Sequence, residues 1–152
     1  MFANSKRRKR AKNVLAMGEI AAVSSLTPLL NQFPELDELV TETATWDFFG
    51  TVAAVGSAMY LAHKEIPQDQ VRATERAVAK VLNKWDHQGY QAYLDLHQFV
   101  APRIEQGWTI ELAVGAWVMW NIKGAKPTER EFQVGAAIGS MFFVSMAGAW
   151  SS

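Results

Sequence analysis

The stretch "AVGSAMYLAHKEIPQDQ", residues 54–70, passes from an apolar run through a charged turn into a proline and a polar segment. Two structures fit such a run: a membrane-spanning helix that reaches water, and a buried helix that ends at a turn. The uncharged run that contains it, residues 48–62, has only 15 residues and is diluted by glycine, threonine and serine. A transmembrane helix needs about 20 predominantly apolar residues. We therefore predict a central core helix with a turn at residues 63–66.

Length and composition indicate one globular domain. The chain has 152 residues, of which 49% are hydrophobic and 20% charged, which is enough to bury a continuous core. It has no cysteine, so disulfide bonds, thiolate catalysis and cysteine-ligated zinc or iron–sulfur sites are excluded. The absence of cysteine leaves the redox compartment open, and a reducing cytoplasm is allowed. The localisation that we expect is cytoplasmic, peripheral to a membrane.

The first half of the domain carries several helix signals. Residues 11–30 are apolar up to Pro28, whose missing amide suits the first turn of a new short helix. Pro34 opens another helix, and the three acids that follow it complement the positive end of the helix dipole. That helix either continues to about Ala62 or breaks near residues 43–45 and restarts.

The second half shows clearer periodicity. Apolar residues recur at three- and four-residue steps over residues 68–85, which predicts an amphipathic helix whose outer face carries Arg72, Arg76, Lys80 and Lys84. A second amphipathic helix follows Gly89, and Pro102 should end or kink it.

Two threonines predict the starts of the last helices. Thr109 is placed to cap residues 110–122, and Thr128 followed by Glu131 has the spacing of a capping box. No stretch alternates as a strand does. The chain is therefore predicted to be all-α, a single compact bundle of about six helices over residues 13–152.

The N-terminal 12 residues are predicted to form a flexible basic arm. Residues 1–18 contain six cations and no acid, and like charges near a chain end favour a mobile, solvated segment. Such an arm binds anionic lipid or nucleic-acid phosphate without reading sequence. No aromatic side chain is interleaved for base stacking, so the membrane surface is favoured over nucleic acid. The candidate residues for anion binding are Lys6, Arg7, Arg8, Lys9, Arg10 and Lys12.

A membrane-embedded alternative remains open at this point. Four apolar segments, residues 13–30, 46–62, 108–122 and 132–152, contain only three charges between them. Four short spans would place the basic segments on one side, as the positive-inside rule asks. The rival hypothesis is a small integral protein of the inner membrane with up to four spans.

Two parts of the chain resemble each other. "AVGSAMYLAHKEIP" at residue 54 and "AVGAWVMWNIKGAKP" at residue 113 share Ala-Val-Gly and a lysine at the same offset. Both lead from an apolar helix through a short turn to a helix that starts beside proline. This repetition predicts two helix–turn–helix units with both apolar helices at the centre.

The stretches "GTVAAVGSAMYLAHKEIPQDQ" and "ELAVGAWVMWNIKGAKPTERE" resemble the tellurite-resistance TerB-like family over residues 48–145. The resemblance implies a single all-helical, stress-related domain with cation-binding turns. The aspartates of the family's turns are absent here, where lysines stand instead, and hard cations need several converging oxygens. The nearest candidate metal ligands at these turns and helix starts are His63, Asp69, Glu129 and Glu131.

No motif in the chain indicates catalysis. Neither a nucleophile elbow nor a phosphate-cradling glycine loop occurs, and the three histidines lack zinc or di-iron spacing. We predict no catalytic residue and no cofactor. Trp108, Trp117 and Trp120 are either core residues or an aromatic surface for a partner. The leading hypothesis is a non-enzymatic domain that binds a protein partner or a second copy of itself, peripheral to a membrane.

Overall fold

Seven α-helices and two short 3-10 turns make up the fold. The computed structural model describes residues 2–151, and no strand occurs within them, which confirms the all-α prediction. The 3-10 turns are Gln68–Gln70 and Ala149–Ser151. The helices are α1 (Phe2–Gln32), α2 (Leu36–Leu39), α3 (Thr43–Glu65), α4 (Val71–Trp85), α5 (Gly89–Glu105), α6 (Ile110–Lys123) and α7 (Glu129–Met146).

Helix α1 is longer than predicted at both ends. It runs through residues 2–12, where the sequence predicts a flexible arm, because Ala11 and Val14 are buried against the bundle and continue its apolar face. It also runs through Pro28, which was expected to begin a new helix. A proline inside a helix costs about 3 kcal/mol. The fully buried Leu29 directly after it keeps the last turn packed on the core.

Helix α3 is the central element of the bundle. The chain breaks after the one-turn α2 and restarts at Thr43, which selects the second of the two predicted alternatives. Every residue from Gly50 to Met59 is buried, since α3 contacts α1, α4, α5, α6 and α7. This explains why its sequence is apolar on all sides and confirms the predicted core helix.

Helices α4 and α5 follow the predicted pattern closely. Val78 and Leu82 turn inward on α4, and the basic residues of its outer face are exposed. Helix α5 begins at Gly89 as expected and ends at Glu105, three residues beyond Pro102.

Helices α6 and α7 form a close antiparallel pair. Thr109 accepts a hydrogen bond from the Leu112 amide, and Thr128 and Glu131 form the predicted capping box. Gly115 and Gly139 allow the two backbones to touch, because a Cβ at either position would overlap a backbone carbonyl of the other helix. The carbonyls concerned belong to Gly135 and Glu111.

The two predicted helix–turn–helix units pack differently. Helices α6 and α7 lie along each other, whereas α4 turns away from α3 and packs mainly on α1. The apolar helices of both units, α3 and α6, are nevertheless in contact inside one core that includes residues of all seven helices.

Candidate functional site

A groove lies between the N-terminal half of α1 and the outer face of α4. We call it the basic groove, and its main cavity has a volume of about 540 Å³. A second cavity of about 280 Å³ extends it toward the N-terminus and shares Arg8 and Lys80 with the first. The main cavity is lined by Arg8, Lys12, Leu15, Lys80, Val81, Lys84 and Trp85.

The walls of the basic groove are strongly cationic. Among the residues that the structure describes, four basic side chains line the main cavity, two more line its extension, and no carboxylate lines either one. Within residues 2–151 none of these six side chains takes part in a salt bridge. Like charges held together without counter-ions raise the local potential and concentrate anions from solution. The six are Arg7, Arg8, Lys12, Arg76, Lys80 and Lys84.

The floor of the basic groove is apolar. Leu15 and Val81 are buried, and Trp85 is half-buried beside them. The indole of Trp85 stacks on the ring of Phe48, with 5.5 Å between centroids and 10° between planes. This contact holds the ring against α3, and together with Leu15 and Val81 it makes the floor hydrophobic.

The fold thus joins two features that the sequence shows separately. Arg7, Arg8 and Lys12 of the predicted arm line the groove, whereas Lys6, Lys9 and Arg10 do not. The sequence did not identify the basic residues of α4, Arg76, Lys80 and Lys84, as candidates for anion binding. Their signal was present as the basic outer face of residues 68–85, but nothing in the sequence indicates that α4 lies against α1.

The three tryptophans do not form a common surface. Trp117 is 1% exposed, and its Nε1–H donates to the Asp95 carboxylate at 3.0 Å, so it belongs to the core. Trp108 and Trp120 are partly buried around the guanidinium of Arg103. The interpretation as core residues is therefore correct for Trp117.

The candidate metal ligands are not brought together. His63, Asp69 and Glu129 are exposed, and no group of three potential ligand side chains occurs in the part of the chain that the structure describes. Glu131 is occupied, since it accepts hydrogen bonds from Lys123 Nζ at 2.6 Å and from the Thr128 amide at 2.8 Å. Burial opposes ionisation of this carboxyl, but these bonds outweigh it and lower its pKa.

A second polar cluster lies between α3, α4 and α5. The Tyr60 hydroxyl contacts His97 Nδ1 at 2.9 Å, and the Tyr93 hydroxyl donates to Glu75 at 3.1 Å. Burial raises the pKa of both phenols and lowers the pKa of the His97 imidazole below its ordinary value, which favours the neutral form of all three rings near pH 7. His97 Nε2 is buried and has no hydrogen-bond partner among the described residues, and the ring contacts Tyr93 edge to face with 4.3 Å between centroids. The cluster joins the three helices, and Glu75, Tyr93 and His97 also line a small cavity of about 250 Å³.

The neutral state of His97 predicts a pH dependence of stability. Because burial lowers its pKa in the folded chain below the ordinary value of 6.5, the unfolded chain binds the proton more readily. This stabilisation is complete above pH 6.5 and is lost as the pH falls toward the folded-state pKa. We expect His97→Gln to reduce the dependence of the free energy of unfolding on pH, measured by urea unfolding between pH 5 and 7.5. The exposed His63→Gln should keep it, and equal slopes for both variants would contradict the assignment.

Two helical segments meet the length and hydropathy of a membrane span. They are Asn4–Gln32 and Glu129–Ser151, and 39% of the apolar window of each is buried in the bundle. By length and composition alone, core helices of soluble proteins pass the same test.

Comparison with known proteins identified no relative of this chain. No family model matches the chain, and no significant match was found among curated proteins or solved structures. The resemblance to TerB-like proteins therefore stays a prediction.

Proposed function

We propose that this chain is a non-enzymatic, cytoplasmic helical domain that binds the anionic surface of a membrane through the basic groove. The observation that carries the proposal is the set of six cationic side chains around the groove that have no salt bridge in residues 2–151. The cytoplasmic leaflet is negatively charged, and each lysine or arginine near it contributes about 1 kcal/mol of attraction.

A membrane surface fits better than nucleic acid. The outward side of α1 continues from Lys12 to Ile20 and Val23, which are 68% and 62% exposed. These exposed apolar side chains near the cations are suited to contact the boundary between headgroups and acyl chains, where interfacial helices bury their apolar residues. Single-stranded nucleic acid is usually bound by cations combined with aromatic faces on which bases stack, and one face of Trp85 is already covered by Phe48.

An integral membrane protein is the second candidate function. The length and hydropathy of α1 and of the C-terminal segment favour it. To span a bilayer, α1 would have to leave the bundle, where Val14 and Leu29 are fully buried. It would also carry its cationic first turns away from α4. We therefore place the peripheral mode first, with the stress-related role and a protein partner as further predictions.

Sedimentation with vesicles tests the proposal. Wild-type protein should bind vesicles containing phosphatidylglycerol, release at high salt, and not bind phosphatidylcholine alone. Removal of three groove charges should weaken binding about 100-fold, from about 1 kcal/mol per charge. The test variant combines Arg8→Gln, Lys80→Gln and Lys84→Gln.

A matched control removes three charges elsewhere on the exposed surface. The variant combines Arg10→Gln, Lys64→Gln and Lys126→Gln, none of which lines the groove. We expect it to bind much more tightly than the groove variant. Equal weakening by both would reject the groove as the binding site. Protein that stays with membranes after a carbonate wash and dissolves only in detergent would favour the integral mode instead.

A further inference from the structure

The main cavity of the basic groove combines two chemistries that pure electrostatic adhesion does not need. Its rims carry cations from both helices, and its floor consists of Leu15, Val81 and Trp85. A surface that only attracts a charged bilayer gains nothing from an apolar floor between its charges. An amphiphile that is anionic at one end and apolar at the other would contact both the cationic rims and the apolar floor.

The cations are arranged in two facing pairs. Arg8 and Lys12 are four residues apart on α1, and Lys80 and Lys84 are four residues apart on α4. Side chains at this spacing lie one helical turn apart on the same face, with about 5–6 Å between their Cβ atoms. Each pair thus faces the other across the groove. A phosphate between the pairs would receive charge-assisted hydrogen bonds from both helices.

The size of the cavity excludes a small ion as the complete ligand. At about 540 Å³ it lies within the range of roughly 300–1,000 Å³ for sites that enclose organic molecules. Inorganic phosphate would leave most of this space, including the apolar floor, filled with water. A ligand with an apolar body would displace that water from Leu15, Val81 and Trp85.

We infer that the basic groove binds one molecule of anionic phospholipid. The headgroup phosphate lies between Arg8, Lys12, Lys80 and Lys84, and the glycerol and first acyl carbons lie on the apolar floor. This inference rests on the proposed function and deepens it, since it adds a site for a single lipid molecule to the attraction between the groove and a charged surface.

Calorimetric titration with a short-chain lipid below its critical micelle concentration tests the inference. Dihexanoylphosphatidylglycerol should bind the full-length chain at one molecule per protein. Dihexanoylphosphatidylcholine and inorganic phosphate should each bind far more weakly, because one lacks the net charge and the other the apolar body. Arg8→Gln combined with Lys84→Gln should lower the affinity about 100-fold, because each change removes a charge-assisted hydrogen bond to the headgroup phosphate. Both positions are exposed, so the fold should be unaffected.

A variant of the floor separates the single-lipid site from simple charge attraction. Trp85→Leu leaves the charge of the groove unchanged but alters its floor. It should weaken the binding of the monomeric lipid and leave the salt-sensitive binding to vesicles in place. Far-UV circular dichroism checks that it is folded. If vesicles bind but the monomeric lipid does not, the single-lipid site is overturned and the proposed function stands. If neither binds, or if a DNA duplex binds more tightly than both, both proposals fall.

Discussion

Replacing Gly139 with alanine should destabilise the protein by about 3 kcal/mol or more, although the change adds a single methyl group. The added Cβ would overlap the backbone carbonyl of Glu111 on α6. A backbone atom cannot move aside as a side chain does, so α6 and α7 would have to separate along their contact. Alanine is otherwise favoured over glycine inside a helix by about 1 kcal/mol, which makes the expected sign diagnostic.

The measurement is the free energy of unfolding in urea, followed by far-UV circular dichroism. Gly115→Ala should act like Gly139→Ala, since its Cβ would overlap the carbonyl of Gly135. Gly135→Ala is the matched control within the same contact, because its Cβ would lie 3.1 Å from the nearest backbone atom. Gly135→Ala should lower the free energy of unfolding less than Gly115→Ala or Gly139→Ala does. An unchanged or raised stability of Gly139→Ala would show that the helices do not touch there.

Replacing Trp46 with alanine should cost about 3–5 kcal/mol, as for other fully buried aromatic side chains. Its ring lies near Phe142 of α7, and its Nε1–H donates to the Ala22 carbonyl of α1 at 2.8 Å. The residue thereby ties α1 to the central helix. We expect the variant also to lose vesicle binding at temperatures where α1 detaches, because the basic groove needs α1 in place against α4.

Two comparisons sharpen this experiment. Trp46→Phe keeps most of the ring and removes one of two side-chain hydrogen bonds to the Ala22 carbonyl, which still accepts from Ser25 Oγ at 2.9 Å. It should therefore cost less than the alanine variant, about 1 kcal/mol. Trp120→Ala removes a partly exposed tryptophan and should cost less than Trp46→Ala. Equal losses of stability in Trp46→Ala and Trp120→Ala would contradict the central position of Trp46. The readouts are the urea midpoint and vesicle sedimentation.

Local sequence signals predicted most helix boundaries well. Thr109 and the Thr128–Glu131 pair determine helix starts because their side chains satisfy amides within the same first turn. Likewise, the period of apolar residues in α4 places its basic face outward whatever the partner of its inner face is. These signals act within one or two turns and can be evaluated along the chain.

Predictions at Pro28 and in the N-terminal segment depended on distant contacts instead. Pro28 reads locally as a helix start, and residues 2–12 read as a repelling, mobile arm. In the fold, the burial of Ala11, Val14 and Leu29 keeps both regions in one helix. The sequence does not encode this outcome locally, because the stabilisation comes from surfaces on α3, α4 and α7 that meet α1 only after folding.

The sequence by itself determined the all-helical class, the ends of the later helices, and the presence of two basic segments with no catalytic motif. Only the tertiary structure decided that these segments face each other, with Arg8 and Lys12 opposite Lys80 and Lys84 over an apolar floor. It also decided that the apolar run of residues 48–62 is surrounded by protein helices within the fold. The physical reason is that periodicity and capping act over a few residues. A binding groove requires side chains about 70 residues apart in the chain to meet, and the pairing of helix surfaces alone determines that.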